Sequence, residues 1–203
     1  MSDSPNSATP NSATPAVPVL NIANVLTVVR ILLVPFFIWF LLLGDGDDGL
    51  FRWLAVLTFA VAIYTDKLDG DLARSRGLIT DFGKIADPIA DKLLIGSALI
   101  VLSLLGELWW WVTLLILVRE VGITVLRFAV IRYGVMPASR GGKLKTVVQT
   151  AAILLFLVPL QSLLGAWAWW PAAAVMAAAV VITVVTGVDY VVQAVRLRAG
   201  ARR

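Results

Sequence analysis

Four aspartates, Asp66, Asp69, Asp87 and Asp91, are the residues in this sequence best equipped for chemistry. Asp66 and Asp69 are three residues apart, and Asp87 and Asp91 are four apart. Within helices each pair shares one face, with neighbouring side chains about 5–6 Å apart. The sequence contains no histidine and no cysteine. Those absences remove Ser-His-Asp and Cys-His catalysis, thiolate metal sites and disulfides, and they leave carboxylates as the natural metal ligands and general bases. Oxygen ligands of this kind favour magnesium, manganese or calcium over zinc.

The elements that must position these carboxylates are set by the solvent the chain is built for. Hydrophobic residues make up 60% of the 203 positions and charged residues only 15%, and the mean hydropathy is +0.90. That is too apolar for a domain whose charges must cover a water-facing surface, so the expected solvent is a lipid bilayer. Six apolar stretches, at about 26–43, 51–73, 86–105, 109–131, 146–165 and 170–195, approach the ~20 residues a helix needs to cross ~30 Å of hydrocarbon. The expected fold is therefore all-α, an integral membrane protein of six transmembrane helices in one catalytic domain, residues 19–203. Residues 1–18 carry a tandem Pro-Asn-Ser-Ala-Thr repeat and read as a disordered N-terminal tail without the apolar core of a signal peptide.

Charge sets the orientation. The segments between spans two and three and between spans four and five, and the C-terminus, hold Lys67, Arg74, Arg76, Lys84, Arg132, Arg140, Lys143, Lys145, Arg196, Arg198, Arg202 and Arg203. The opposite loops hold Asp45, Asp47, Asp48 and Glu107, with Arg52 as their one basic residue and a group of tryptophans fitting an interfacial belt. By the positive-inside rule both termini and the aspartates are cytoplasmic, and the net charge of +4 reflects topology rather than nucleic-acid binding. Asp66 and Asp69 then end span two and Asp87 and Asp91 begin span three, joined by a short turn that lets two acidic faces converge. Carboxylates near lipid depth cost roughly 2.5–3.5 kcal/mol each on insertion scales, and like charges repel further. One or two divalent cations would offset both.

A blander reading, helix capping and loop solvation, suits Asp71 and Asp81. It does not explain two helical pairs meeting at one turn. Gly70, Ala73 and Gly83 leave room for a ligand to approach the backbone, and Arg74 offers a planar fork for phosphate. A divalent-cation transporter would also use intramembrane carboxylates, but it requires polar residues continuing to the far side, and spans five and six read as almost wholly apolar. Asn24, Thr27 and Arg30 form a polar stripe at three-residue spacing on span one, placed beside the ligand, although a terminal arginine also snorkels to head groups. Arg119 and Arg127 lie inside span four, where buried cations serve function by default, with an ion pair between Glu120 and Arg127 as the structural alternative. Asp189 stays unassigned or pairs with a neighbouring basic residue.

The run Asp66-x-x-Asp69-Gly70-x-x-Ala73-Arg74, eight residues, Gly83, three residues, Asp87, three residues, Asp91 matches the signature of the CDP-alcohol phosphatidyltransferases throughout. Asn24 to Arg30, Thr80 to Lys84, Asp87 to Lys92, Arg119-Glu120 and Gly142 to Thr146 resemble the bacterial phosphatidylglycerophosphate synthases, with Lys67 standing where those enzymes often have an aromatic residue. The resemblance implies a six-helix, multi-pass protein of the bacterial cytoplasmic membrane, a homodimer with its site open to the cytoplasm. It implies transfer of a phosphatidyl group from CDP-diacylglycerol to sn-glycerol 3-phosphate, with release of CMP. Within the family the alternatives are a phosphatidylinositol-phosphate synthase or a cardiolipin synthase. Asp66, Asp69, Asp87 and Asp91 are then the ligands of two Mg2+ or Mn2+ ions, with Asp91 also the general base. Gly70, Ala73, Arg74 and Gly83, with Thr65, Asp69, Asn24, Thr27 and Arg30 beside them, are expected at the nucleotide. Arg119, Arg127, Lys143, Lys145 and Arg140 are expected at the acceptor's phosphate.

Overall fold

A computed structural model describes residues 21–46, 48–76, 80–130 and 140–200; the tail expected over 1–18 lies outside the described residues. The described secondary structure is helical: α1 (Ile22–Leu43), α2 (Leu50–Arg76), α3 (Asp81–Leu104), α4 (Trp110–Val130), α5 (Arg140–Leu157), the short α6 (Leu160–Leu164), a 3-10 turn (Ala166–Ala168) and α7 (Trp169–Gly200). α1 starts at an Asn21 cap whose side chain accepts the Asn24 N–H, and α3 starts at Thr80, which accepts the Gly83 N–H. Each cap satisfies an amide that the first turn leaves without an intrahelical partner.

Five of the six expected spans coincide with long helices. The fifth does not run through to residue 165: α5 stops at Leu157, and α6 starts separately after Pro159. Proline has no N–H to continue the ladder and disfavours helical geometry in the residue before it. Among the described residues, two helices combine the length and apolarity needed to cross a membrane, Ile22–Leu43 and the segment Ala166–Ala199. α2, α3 and α4 have 27, 24 and 21 residues, long enough to span, but charged side chains interrupt them: Arg52 and the segment from Asp66 to Arg76 in α2, Asp87, Asp91 and Lys92 in α3, and Arg119, Glu120 and Arg127 in α4.

The hydrophobic core runs through the middle of the bundle and includes Phe37, Leu41, Phe59, Leu94, Leu99, Leu102, Ile116, Ile153 and Leu157. α1 packs chiefly on α2 and α3, whereas α2 and α3 touch each other much less; α7 packs on α5 and α4. The expected α2–α3 hairpin therefore has a third helix set against it. Large apolar side chains such as Leu57, Val118, Val125, Phe128 and Val185 stand on the outside, the surface expected of a bundle solvated by lipid.

One end of the bundle is tied by Arg52, which is 3% exposed. Its guanidinium makes two 2.5 Å bonds to Glu107 and donates to the carbonyls of Leu157 and Phe156, each at 2.7 Å. Those carbonyls belong to the last turn of α5, where intrahelical partners run out. Trp109 packs with Trp111 and Trp169 at this same end, and Trp169 with Trp170, in keeping with the expected aromatic belt. Removing one partner of a buried, hydrogen-bonded charge network is costly. Arg52→Ala is expected to lower stability by about 3 kcal/mol, seen as a reduced melting temperature in detergent micelles. An unchanged melting temperature would show that α5 does not need this clamp.

Candidate active site

At the opposite end of the bundle, α1 presents one polar stripe to both acidic pairs. Arg30 has no exposed surface; its Nη1 is paired with Asp66 and its Nη2 with Asp69. One turn earlier the Thr27 hydroxyl lies 2.7 Å from Asp87 Oδ1 and 3.4 Å from Asp69 Oδ2. A further turn back, Asn24 Nδ2 donates to Thr80 Oγ1 at 2.8 Å, and Thr80 Oγ1 also lies 3.0 Å from Asn24 Oδ1. Three residues spaced by three on α1 therefore join the end of α2 to the beginning of α3.

The four aspartates differ in their surroundings. Asp69 is 3% exposed, whereas the Asp66 side chain keeps 47% of its surface. Asp66 and Asp87 both lie within electrostatic range of Asp69. Asp91 lies within electrostatic reach of Asp66, Glu120, Lys145 and Arg30. Among the described residues no three acidic side chains are drawn tightly enough together to form a ready metal cage. The Arg30 guanidinium sits between Asp66 and Asp69, so its positive charge stands where a cation would. The donor set is nevertheless suited to a hard divalent ion: four carboxylates supply only oxygen, and a single guanidinium cannot balance them.

The glycine expected to admit a ligand is tightly placed. A Cβ on Gly83 would stand 2.9 Å from Asn24 Oδ1 and 3.4 Å from Thr80 Oγ1. Thr65, 9% exposed, is held by its own helix, its hydroxyl donating to Ala62 O at 2.8 Å. Gly70 follows Asp69 within α2. Ala73 and Arg74 continue α2, and Arg140 and Lys143 start α5; the side chains of these four lie outside the described ones. Asp71 is exposed in the last turns of α2, and Asp81 opens α3 immediately after its Thr80 cap.

A second group of polar residues comes from α4, α5 and α7. Lys145 pairs with Glu120, and Arg119 Nη1 reaches the same Glu120 Oε1 at 3.1 Å. Arg119 Nη2 donates to Thr186 at 2.9 Å. Arg127 donates to the Tyr190 hydroxyl at 2.9 Å, and its guanidinium carbon stands 5.0 Å from the Tyr190 ring centre, with that of Arg119 5.7 Å away. The alternative pairing of Arg127 with Glu120 is thus replaced by a tyrosine from α7, and Glu120 takes Lys145 and Arg119 instead. Asp189, read as a partner for a basic residue, accepts from Gln193 at 2.8 Å on the exposed side of α7.

Two adjoining cavities connect these groups. One, of about 150 Å3, is lined by Asp91, Glu120, Lys145 and Gln149; the other, of about 250 Å3, by Arg119, Arg127, Lys145 and Tyr190. Lys92, Glu120, Lys145 and Thr146 form part of both walls. The basic cavity depends on Thr186 and Tyr190, which sequence reasoning passed over. The available signal was that these polar side chains interrupt the C-terminal half of an apolar span, where intramembrane polar residues mark function.

The chain belongs to the CDP-alcohol phosphatidyltransferase family, whose profile matches residues 20–188. Over 185 residues it is 55% identical to a probable phosphatidylglycerophosphate synthase of Mycobacterium tuberculosis, covering 91% of this chain and 87% of the relative. It is 34% identical over 154 residues to a CDP-diacylglycerol–glycerol-3-phosphate 3-phosphatidyltransferase of Bacillus subtilis, covering 70% of this chain and 80% of that one. A CMP-forming cardiolipin synthase of Streptomyces coelicolor is 38% identical over 123 residues, 59% of this chain and 55% of the relative.

The cap geometry makes its own prediction. In Gly83→Ala the new methyl group displaces Asn24 and breaks its exchange with Thr80, so stability in detergent should fall by about 1–3 kcal/mol. An unchanged melting temperature would show that Asn24 moves aside freely.

Proposed function

We propose that this chain transfers the phosphatidyl group of CDP-diacylglycerol to sn-glycerol 3-phosphate, forming phosphatidylglycerophosphate and CMP. The observation that carries this reading is the pair of cavities sharing Lys145: one reaches an aspartate, and the other holds two arginines. An acceptor with a hydroxyl at one end and a phosphate at the other matches that division of charge. The names of the Mycobacterium and Bacillus relatives support the same substrates.

In this reading Asp91 takes the proton from the primary hydroxyl of the acceptor as its oxygen attacks the phosphatidyl phosphorus. The new phosphorus–oxygen bond replaces the one to CMP, which leaves with the electron pair. Arg119, Arg127 and Lys145, with Lys143 and Arg140 at the start of α5, hold the acceptor's phosphate and so fix the hydroxyl beside Asp91. Gly70, Ala73, Arg74 and Gly83, with Thr65, Asn24, Thr27 and Arg30 alongside, receive the cytidine diphosphate. Asp66, Asp69, Asp87 and Asp91 are the residues that would hold one or two Mg2+ or Mn2+ ions. Such ions, when bound, supply Lewis acidity to the diphosphate oxygens and offset the crowded carboxylates.

The same reading takes α1 to α5 and α7 as six membrane crossings of a multi-pass bacterial membrane protein. Both termini and the aspartates then face the cytoplasm, the side favoured by the basic loops. A homodimer is part of this reading on the family resemblance. A cation transporter is disfavoured by the packing: the apolar layer of Phe37, Phe59, Leu99, Leu102 and Ile153 lies between the aspartates and the Arg52 end.

Purified protein given CDP-diacylglycerol with glycerol 3-phosphate, inositol 1-phosphate or phosphatidylglycerol separates the acceptors. Phosphatidylglycerophosphate is the product expected; cardiolipin or phosphatidylinositol phosphate in its place would move the chain to another branch of the family. Asp91→Asn should cut CMP release by at least about 100-fold, the usual contribution of a general base, while the protein stays folded. Wild-type turnover in that variant would end the assignment. Tyr190→Leu removes both the bond to Arg127 and the aromatic face beside the two arginines. It should raise the KM for glycerol 3-phosphate by about 10-fold, the effect of one charge-assisted hydrogen bond, with little change in the KM for CDP-diacylglycerol. Equal changes in both constants would make Tyr190 a general support for the fold.

A further inference from the structure

The reaction proposed above leaves one group of the acceptor without a partner. Glycerol 3-phosphate has a phosphate, a primary hydroxyl that reacts and a secondary hydroxyl between them. The arginines and Lys145 account for the first and Asp91 for the second. The wall of the smaller cavity carries a buried polar group that also lacks a partner. Gln149 is 3% exposed, and its side-chain oxygen Oε1 is buried with no hydrogen-bond partner. Buried amide oxygens are rarely left this way, and each such group calls for an explanation.

Its position supplies one. Gln149 lies four residues after Lys145 on α5, so the two share a helix face. Both line the cavity that contains Asp91, together with Glu120 and Thr146. Lys145 also lines the neighbouring cavity of Arg119 and Arg127. A short three-carbon phosphate ester with its anionic end at the arginines and its reactive end at Asp91 must pass Lys145, and its middle carbon then comes into the part of the cavity that Gln149 borders. A carboxamide can accept from a hydroxyl through its oxygen or donate through its nitrogen, so either rotamer of the amide can recognise an alcohol.

We infer that Gln149 binds the secondary hydroxyl of the acceptor and so selects polyol phosphates over simple alcohol phosphates. The inference rests on the glycerophosphate reading of the site. Sites that hydrogen-bond a substrate hydroxyl reject the analogue that lacks it, because the buried protein group is then left unpaired.

The test compares sn-glycerol 3-phosphate with 3-hydroxypropyl phosphate, which keeps the phosphate and the primary hydroxyl but lacks the secondary one. Full-length protein in detergent micelles with CDP-diacylglycerol should show a kcat/KM for glycerol 3-phosphate about 10-fold or more above that for the analogue. In Gln149→Met, which keeps the length and loses the amide, that ratio should fall toward one, chiefly by a loss on glycerol 3-phosphate. The KM for CDP-diacylglycerol should change by less than about two-fold. Equal use of the two acceptors by the wild-type protein overturns the inference without any variant, and so does an undiminished preference in Gln149→Met. If neither phosphate supports CMP release while phosphatidylglycerol does, the glycerophosphate reading itself has failed and Gln149 loses this role with it.

Discussion

The guanidinium of Arg30 is the interaction on which this architecture depends. It has no exposed surface and is paired with Asp66 and Asp69. A charge so deeply placed persists only with opposite charge against it, and carboxylates so close together persist only with a cation between them. Each half of the arrangement removes the other's penalty. The consequence is topological: α1 must lie against the acidic end of α2 for its arginine to reach Asp66 and Asp69. Once it does, Thr27 and Asn24 fall at the same helical phase and engage Asp87 and Thr80. A helix whose polar stripe was expected only beside the ligand is thereby the element that aligns the two acidic segments.

The bundle is polar at both ends for different reasons. At the Arg52 end Arg52 and Glu107 neutralise each other, and the guanidinium closes the carbonyls that the break after Leu157 leaves open. At the aspartate end there are more carboxylates than cations around Arg30, and more cations than carboxylates around Glu120. The first end is a self-satisfied clamp of the kind that maintains a fold. The second keeps separated charge of both signs, which is of little use to stability but suits ligands that bear the opposite signs.

The aspartate pairs were legible because their information is local: spacings of three and four on a helix fix a common face whatever surrounds them. The six long helices were legible for the same reason, apart from the interruption at Pro159, which an unbroken apolar run concealed. The partners that come from elsewhere in the chain were not legible. Nothing in the sequence near Arg127 indicates that Tyr190, 63 residues later, accepts its hydrogen bond; periodicity alone instead pairs it with Glu120 on its own helix. Gln149 was overlooked because one amide hardly alters the hydropathy of its span, and its significance lies in burial and in an unpartnered oxygen. Both depend on how α4, α5 and α7 meet.

The division between α1–α3 and α4, α5, α7 bears on the difficulty of the proposed chemistry. A phosphorylated alcohol and a diphosphate repel each other, so a site that joins them must hold two anions near one another before any bond forms. Here Arg127 is anchored by the neutral Tyr190 and Arg119 in part by the neutral Thr186, so the charge of Arg127 is not spent on a carboxylate. Glu120 holds Lys145 and Arg119. Asp91 shares a cavity wall with Glu120 and Lys145 and is also within electrostatic reach of Asp66 and Arg30. In the proposed reaction a base in that position would serve both substrates. An acceptor hydroxyl held there would lose its proton beside the phosphorus it is to attack, with its own phosphate kept back among the arginines.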